Sequence, residues 1–173
     1  PYLKQFLSDR RVIEASPLIW QPILRGIILN TRPKKSAKAY AKIWRQESDE
    51  SPLRYYTRRQ AEALQEVLGD GVQVDYAMRY GAPSIEDKID AMKKAGCERI
   101  SIMALYPQYS ATTSASVYDE VFRTLLKLRW QPAVRTAAPW HDHPAYIEAL
   151  AQSVTAHIDT LDWKPEVIIA SFH

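Results

Sequence analysis

The sequence predicts an α/β domain in three layers, with a mostly parallel four-stranded Rossmann-like sheet and helices on both faces of the sheet. Two observations carry this prediction. Strand-like and helix-like segments alternate after an N-terminal helical region, and the strand segments are short apolar runs of the kind that parallel sheets bury. A chain of 173 residues, 46% of them hydrophobic, is enough for one such domain with a sizeable core.

Three helices are predicted ahead of the first strand. The segment "PLIWQPILRGIILNT" is apolar enough for a packed helix, and "RPKKSAKAYAKIW" restarts after Pro33 with apolar side chains at helical spacing. The third helix, in "SPLRYYTRRQAEALQEVLGDG", has clear ends. Ser51 is a good N-cap, Pro52 stands at the first helical position and Gly69 follows the last turn.

The alternating part of the chain begins at residue 72. A strand in "VQVDYAMRY" precedes a helix in "SIEDKIDAMKKAG", which Ser84 caps and Gly96 ends. The apolar run "RISIMAL" is the next strand, and a helix follows it from about Ser116 to Leu128. "AVRTAA" and "EVIIASF" are two more strands, separated by an amphipathic helix in "HPAYIEALAQSVTAHIDTL". The predicted strands are Val72–Met78, Arg99–Leu105, Ala133–Ala137 and Val167–Phe172.

Composition narrows the function classes. The formal net charge of +3, with acidic and basic residues interleaved, is too small to argue for nucleic acid, although basic patches could still face an acidic small molecule or an anionic lipid surface. The single cysteine, Cys97, rules out an internal disulfide and suits a reducing cytosol. The sequence has no apolar run of about 18 residues, and its first residues do not resemble a signal peptide, so a cytoplasmic location is expected.

The residues that follow the strands form the candidate site, because ligands of parallel sheets bind at the carboxyl ends of the strands. These residues form one predicted wall of the site and are rich in imidazole, aromatic and arginine side chains. Imidazole suits transition metals, aromatic rings suit a flat apolar partner and arginine suits carboxylates, so the wall indicates a flat organic acid that binds a transition metal. No G-x-G-x-x-G or Walker-type loop indicates a nucleotide. The wall comprises Arg79, Tyr80, Tyr106, Gln108, Tyr109, Trp140, His141, His143 and His173.

Four segments, "ESPLRYYTRRQ", "MRYGAPSIEDKIDAMKKAG", "YPQYSATT" and "ASFH", resemble the successive motifs of the ferrochelatase family, in order and with about the family's spacing. The resemblance covers nearly the whole chain. It implies an enzyme that inserts ferrous iron into protoporphyrin IX, or a related porphyrin, to form haem. The family is about twice as long, with two similar domains around the porphyrin cleft. Residues 1–173 are therefore expected to form an N-terminal chelatase domain that lacks the family's first strand and second domain.

The resemblance implies chemistry for two histidines. His173 ends the "S-x-H" motif, where the family has a metal ligand or a proton acceptor for the pyrrole nitrogens; the alternative is a strand-end histidine bonded to backbone. His143 is expected to act as a proton relay, with helix capping ahead of Pro144 as an equal alternative. His141 and His157 are expected to matter less.

The resemblance also implies porphyrin contacts. Arg32 and Tyr40 match a segment that faces the propionates, and a guanidinium binds a carboxylate through paired hydrogen bonds. Ser51 matches the family's "SP" step, although helix capping alone would explain it. The remaining predicted contacts are Arg79 and Tyr80, which match the family's "R-Y" after the first strand, and Tyr109 and Ser110, for which a well-packed aromatic loop is the alternative.

Cofactors and partners stay open. Some family members carry a cysteine in the "YSATT" loop as an iron–sulfur ligand, and this loop has none. No cofactor is therefore certain, and the presence of an iron–sulfur cluster stays unknown. The resemblance implies ferrous iron as a substrate. Peripheral contact with the inner membrane and the oligomeric state are undecided. A non-catalytic tetrapyrrole carrier would share the aromatic wall without needing His173 opposite a carboxylate. A flavodoxin-like domain with unrelated chemistry is the third alternative, and the absence of a phosphate loop weighs against it.

Overall fold

The computed structural model describes residues 2–170, and the chain divides into two units. The first contains residues 2–104 and 109–137, and the second contains residues 105–108 and 138–170. The elements in chain order are α1 (Tyr2–Ser8), α2 (Pro17–Ile23), α3 (Leu29–Ala41), α4 (Pro52–Leu68), α5 (Ile85–Lys94), β1 (Arg99–Ile102), α6 (Ser116–Lys127), β2 (Ala133–Thr136) and α7 (Pro144–Ile158). Short π-helical segments cover Leu24–Ile28, between α2 and α3, and Ala111–Ala115, ahead of α6.

The core of the first unit lies between two parallel strands and two helices. β1 pairs with β2 in register from Arg99 opposite Ala133 to Ile102 opposite Thr136. The strands and helices are amphipathic, so their apolar faces meet and leave water together. The buried cluster is Ile85, Ile89, Ile100, Val121 and Leu125, with Ala77, Met92, Ile102, Val117, Leu128 and Val134 packed against it. The α/β class and the parallel pairing of the second and third predicted strands are therefore confirmed.

Within the first unit, α5 and α6 pack against one face of this strand pair. Ile100 and Ile102 point to the core, whereas Arg99 and Ser101 are exposed, and the same alternation runs along β2, where Arg135 is exposed. The sequence "RISI" alternates polar and apolar side chains and is therefore a half-buried strand pattern.

The predicted strand Val72–Met78 is not a strand in the structure. The Gln65 side chain donates a hydrogen bond from Nε2 to the Val72 carbonyl and accepts one at Oε1 from the Val74 amide, both at 2.8 Å. The Met78 amide donates to the Pro83 carbonyl. These contacts occupy backbone groups that a strand ladder would need. The four-strand count is therefore not confirmed, since residues 2–170 contain two strands.

The last predicted strand, Val167–Phe172, is described only to Ala170. Residues 167–170 do not form a strand, and Ile169 is 87% exposed. The apolar pattern alone predicted burial, but apolar side chains form a strand only where a partner strand supplies hydrogen bonds. Residues 171 and 172 lie outside the described part of the chain.

The helix predictions agree better with the structure. Ser51 Oγ accepts a hydrogen bond from the Arg54 amide at the start of α4, and Gly69 follows the last turn with φ +67°. Ser84 caps α5 in the same way, through the Asp87 amide. The prediction of a packed helix around residues 17–31 was wrong in one respect. Leu24 is buried there, but Leu18 and Ile19 are 87% and 66% exposed.

Candidate active site

An aromatic surface joins three parts of the first unit. Tyr2 and Phe6 lie one helical turn apart on α1, so both point to the same side. Their ring centroids lie 6.0 and 5.3 Å from that of Tyr80, and Tyr2 also meets Tyr40 of α3 edge-on at 6.4 Å. Tyr2 and Tyr40 are 44% and 45% exposed, so this aromatic cluster of Tyr2, Phe6, Tyr40 and Tyr80 offers partly open flat apolar area.

A buried carboxylate lies beside the aromatic cluster. The side chain of Asp9, just after α1, is 3% exposed. Its Oδ2 accepts hydrogen bonds from Arg79 Nη2 at 2.6 Å, Tyr80 OH at 2.8 Å and Ser116 Oγ at 2.5 Å. Its Oδ1 accepts a hydrogen bond from the Arg11 amide at 2.8 Å. These four donors supply what a charged carboxylate needs in a buried position.

The electrostatics of this buried network of Asp9, Arg79, Tyr80 and Ser116 follow from burial and charge. Burial raises the pKa of Asp9, but the hydrogen bonds from Ser116, the Arg11 amide and Tyr80, with the Arg79 charge, outweigh it and leave that pKa below its usual value. Burial, helped by the neighbouring Asp9 carboxylate, raises the pKa of Tyr80 to about 12. Asp9 is therefore ionised at neutral pH, and the Tyr80 phenol keeps the proton that it donates.

Arg79 is fully engaged in this network. Its Nε donates to the Ser116 carbonyl at 2.8 Å and to Ser116 Oγ at 2.7 Å, and its Nη1 lies 3.5 Å from Glu120 Oε2. Its guanidinium carbon is 4.5 Å from the centroid of the Tyr80 ring. The structure brings the predicted pair Arg79 and Tyr80 together, with their polar atoms turned towards Asp9.

Arg32, on α3, lines a shallow depression of about 270 Å³ together with Lys35, Ser36 and Ala39. All four residues belong to α3, and two of them are basic. The depression therefore suits an anionic group. Tyr40 lies on the same helix and contacts Tyr2.

The two predicted serines are helix caps. Ser51 Oγ binds the Arg54 amide at 3.3 Å, and Ser110 Oγ accepts from the Thr112 amide at 3.2 Å ahead of the π-helical segment. The capping alternative predicted for Ser51 is therefore present, and a porphyrin contact at either serine would come in addition. Tyr109, beside Ser110, is exposed.

In the second unit, His143 caps α7. Its Nδ1 accepts a hydrogen bond from the Ala145 amide at 3.3 Å, which requires an unprotonated Nδ1. Trp140 and Tyr146 pack edge-to-face with ring centroids 4.8 Å apart. His173, the predicted metal ligand, lies outside the described residues. Within residues 2–170, no group of three or more His, Cys, Asp or Glu side chains is arranged to hold a metal ion.

Asp9 and Ser116 were not among the residues predicted from the sequence. Asp9 lies 70 and 107 residues from the Arg79 and Ser116 side chains that bind it. No local motif or periodicity signals such contacts. The nearest signal is that Asp9 directly follows the helix that carries Tyr2 and Phe6.

The fold and the site define a class: an α/β domain with parallel strands that presents a partly open aromatic surface beside a buried ion pair, suited to a flat ligand with acidic groups. The match to known proteins is more specific. Residues 1–173 match the family model described as Ferrochelatase. The chain belongs to the ferrochelatase family.

Several curated relatives carry the same name. The chain is 59% identical to the ferrochelatases of Rhizobium meliloti (strain 1021) and Agrobacterium fabrum, and 58% identical to that of Brucella anthropi. Each alignment covers 99% of this chain but only 51%, 51% and 50% of the respective relative. The chain thus spans about half the length of the curated relatives it matches.

Proposed function

We propose that this chain forms the N-terminal chelatase domain of a ferrochelatase, and that the whole protein inserts ferrous iron into protoporphyrin IX, or a related porphyrin, to form haem. The observation that carries the proposal is the family match along all 173 residues, at 59% identity to named ferrochelatases. The reaction replaces two pyrrole N–H protons by one Fe²⁺, so the protein must hold a flat ring, strip water from iron and accept protons.

The aromatic cluster supplies flat contact area for the ring, and Arg32 supplies paired hydrogen bonds for a propionate. The uncharged loop "LYPQYSATTSAS" fits a site from which iron must shed water, since charged side chains would hold water there. These roles fit the residue types and the surfaces described above.

His173 is the proposed proton acceptor or iron ligand, because both roles use neutral imidazole. His143 is the proposed relay. Its Nδ1 is bound to the Ala145 amide, so the relay would run through Nε2 unless the helix cap is broken.

The segment of residues 17–46, which contains α2 and α3, supports a peripheral membrane contact. Residues 17–46 contain seven basic side chains and no acidic one, and Leu18, Ile19 and Ile27 of this segment are exposed. Exposed apolar side chains beside basic ones are typical of segments that lie on an anionic bilayer. No helix within residues 2–170 is long and apolar enough to cross a membrane. Salt-sensitive binding to phosphatidylglycerol vesicles, but not to phosphatidylcholine vesicles, is the expected result; equal binding to both would contradict it.

The direct test of the proposed function is metallation of protoporphyrin IX by the purified full-length protein under anaerobic conditions, with Fe²⁺ or Zn²⁺. Turnover supports the enzyme. Tight porphyrin binding without turnover would favour the non-catalytic carrier.

A further inference from the structure

Three segments that are distant in sequence meet at Asp9. The carboxylate follows α1, Arg79 and Tyr80 come from the loop before α5, and Ser116 begins α6. The hydroxyl groups of Tyr80 and Ser116 both donate their proton to Asp9 Oδ2. Neither proton is then available for the contact between the two hydroxyl oxygens, which lie 3.1 Å apart. Asp9 is therefore the common acceptor that orients the other side chains.

A second ion pair lies close by and differs in burial. The Arg11 guanidinium makes a two-point contact with the Asp119 carboxylate, at 2.8 and 3.1 Å. The Arg11 side chain is 45% exposed, whereas the Arg79 side chain bound to Asp9 is 12% exposed. Both pairs tie the segment after α1 to another part of the unit, but only the Asp9 pair also holds a ring of the aromatic cluster.

We propose that Asp9 is a positioning residue for the candidate porphyrin surface: it fixes the Arg79 guanidinium and the Tyr80 ring against which Tyr2 and Phe6 pack. This inference rests on the proposed function, because the surface it orders is the one proposed to hold the porphyrin. Asp9 itself touches no ligand, since its carboxylate oxygens are occupied by Arg79, Tyr80, Ser116 and the Arg11 amide.

Loss of the carboxylate charge has a definite physical consequence. The buried Arg79 guanidinium would lose its close partner and would turn towards Glu120 or water, because an unpaired buried charge is costly. The Tyr80 hydroxyl would lose its acceptor, and the ring would be free to leave its packed position. Porphyrin would then bind to a surface that must first be ordered, which weakens affinity more than it slows the chemical step.

The test compares Asp9→Asn with Asp119→Asn in the full-length protein. The two changes are chemically identical, and each removes one ion pair of the same segment. Asp9→Asn should raise the Kd and KM for protoporphyrin about tenfold, as for other residues that orient ligand-binding groups, with kcat close to wild type. Asp119→Asn should stay within about twofold, because exposed ion pairs contribute little. Asp9→Glu, which keeps the charge, should recover part of the affinity. An unchanged Kd in Asp9→Asn, or an equal loss in both Asn variants, would overturn the proposal.

Folding is checked for each variant by near-ultraviolet circular dichroism. If Asp9→Asn does not fold, Ser116→Ala decides, since it removes the hydroxyl that donates to Asp9 and accepts from Arg79 while the Asp9–Arg79 ion pair itself remains. It should raise the Kd at least about threefold, because the hydroxyl is hydrogen-bonded to two charged groups, and no change would overturn the proposal.

A ligand-free measurement separates this proposal from the proposed function. The Arg79 Nη2–H that donates to Asp9 should give a protected NMR signal in the wild type that is lost in Asp9→Asn. If the wild type bound no porphyrin while this signal behaved as expected, the proposed function would fail and the ordering role of Asp9 would stand. An equally protected signal in Asp9→Asn would overturn the positioning role.

Discussion

Asp9 Oδ2 and Arg79 Nη2 meet at 2.6 Å, although 70 residues separate them in the sequence. The contact is buried on both sides, with 3% of the Asp9 side chain and 12% of the Arg79 side chain exposed. It links the helix that carries Tyr2 and Phe6 to the loop that carries Tyr80. The same pair therefore bears on both stability and the candidate site.

Replacement of Asp9 should destabilise the fold. Asp9→Asn removes the close partner of the buried Arg79 charge and leaves only Glu120, at 3.5 Å; breaking buried pairs in this way costs about 3 kcal/mol or more. Arg11→Gln, at the exposed neighbouring pair, should cost less than about 1 kcal/mol. Urea denaturation followed by tryptophan fluorescence measures both. Equal free energies of unfolding for the two variants would show that the buried pair contributes no more to stability than the exposed pair.

The pH dependence of stability should carry the signature of Asp9. Burial is the largest single effect on the pKa of Asp9 and raises it. The hydrogen bonds from Ser116, the Arg11 amide and Tyr80, together with the Arg79 charge, outweigh burial, so the pKa in the folded state is lowered. A lowered folded-state pKa means that the stabilisation is present above the unfolded value, near pH 4, and is lost as pH falls through the folded value. Thermal melts should show a steeper decline below about pH 4 in the wild type than in Asp9→Asn. Parallel curves would contradict the assignment.

Arg32 should recognise a propionate. Arg32→Ala should weaken protoporphyrin IX binding about tenfold while hardly changing the affinity for its dimethyl ester, because only the free acid offers a carboxylate to the guanidinium. Lys94→Ala, on α5, is the control and should bind both porphyrins as the wild type does. An equal loss for acid and ester would mean that Arg32 acts through the fold rather than the ligand.

The helices of this chain could be predicted more fully than its sheet. Ser51, Pro52 and Gly69 mark the ends of α4 because capping is local chemistry, and the structure places them there. The segment 72–78 misled the prediction because the Gln65 side chain takes the backbone groups at Val72 and Val74, and no periodicity reports such a contact.

The candidate site shows the same limit. Family motifs predicted Arg79 and Tyr80 as porphyrin contacts, and in the structure the Arg79 guanidinium lies over the Tyr80 ring. They could not show that the polar atoms of both turn to Asp9, because that carboxylate arrives from another segment of the fold. Ser51 and Ser84 illustrate the reverse case, since their capping role was predicted from local sequence and is visible in the structure.

The 173-residue chain alone should not catalyse metal insertion, although weak porphyrin binding is expected. Its relatives are about twice as long, and residues outside the shared half are expected to complete the cleft. Porphyrin should therefore quench the tryptophan fluorescence of the purified chain 1–173. Zinc porphyrin should form no faster with this chain than it does spontaneously. Robust zinc or iron insertion by this chain would contradict the prediction that residues outside the shared half are needed for catalysis.

The central claim is that this protein metallates a porphyrin with His173 at the reacting centre, and one measurement tests it most directly. Metallation rate and porphyrin affinity are measured side by side for the wild-type full-length protein, His173→Ala and His157→Ala, the last being a control in the exposed final turn of α7. His173→Ala should bind porphyrin normally and lose at least about a hundredfold in rate, the lower end of what a positioned acid–base group supplies, while His157→Ala turns over as the wild type does. Near-normal turnover by His173→Ala would contradict the account.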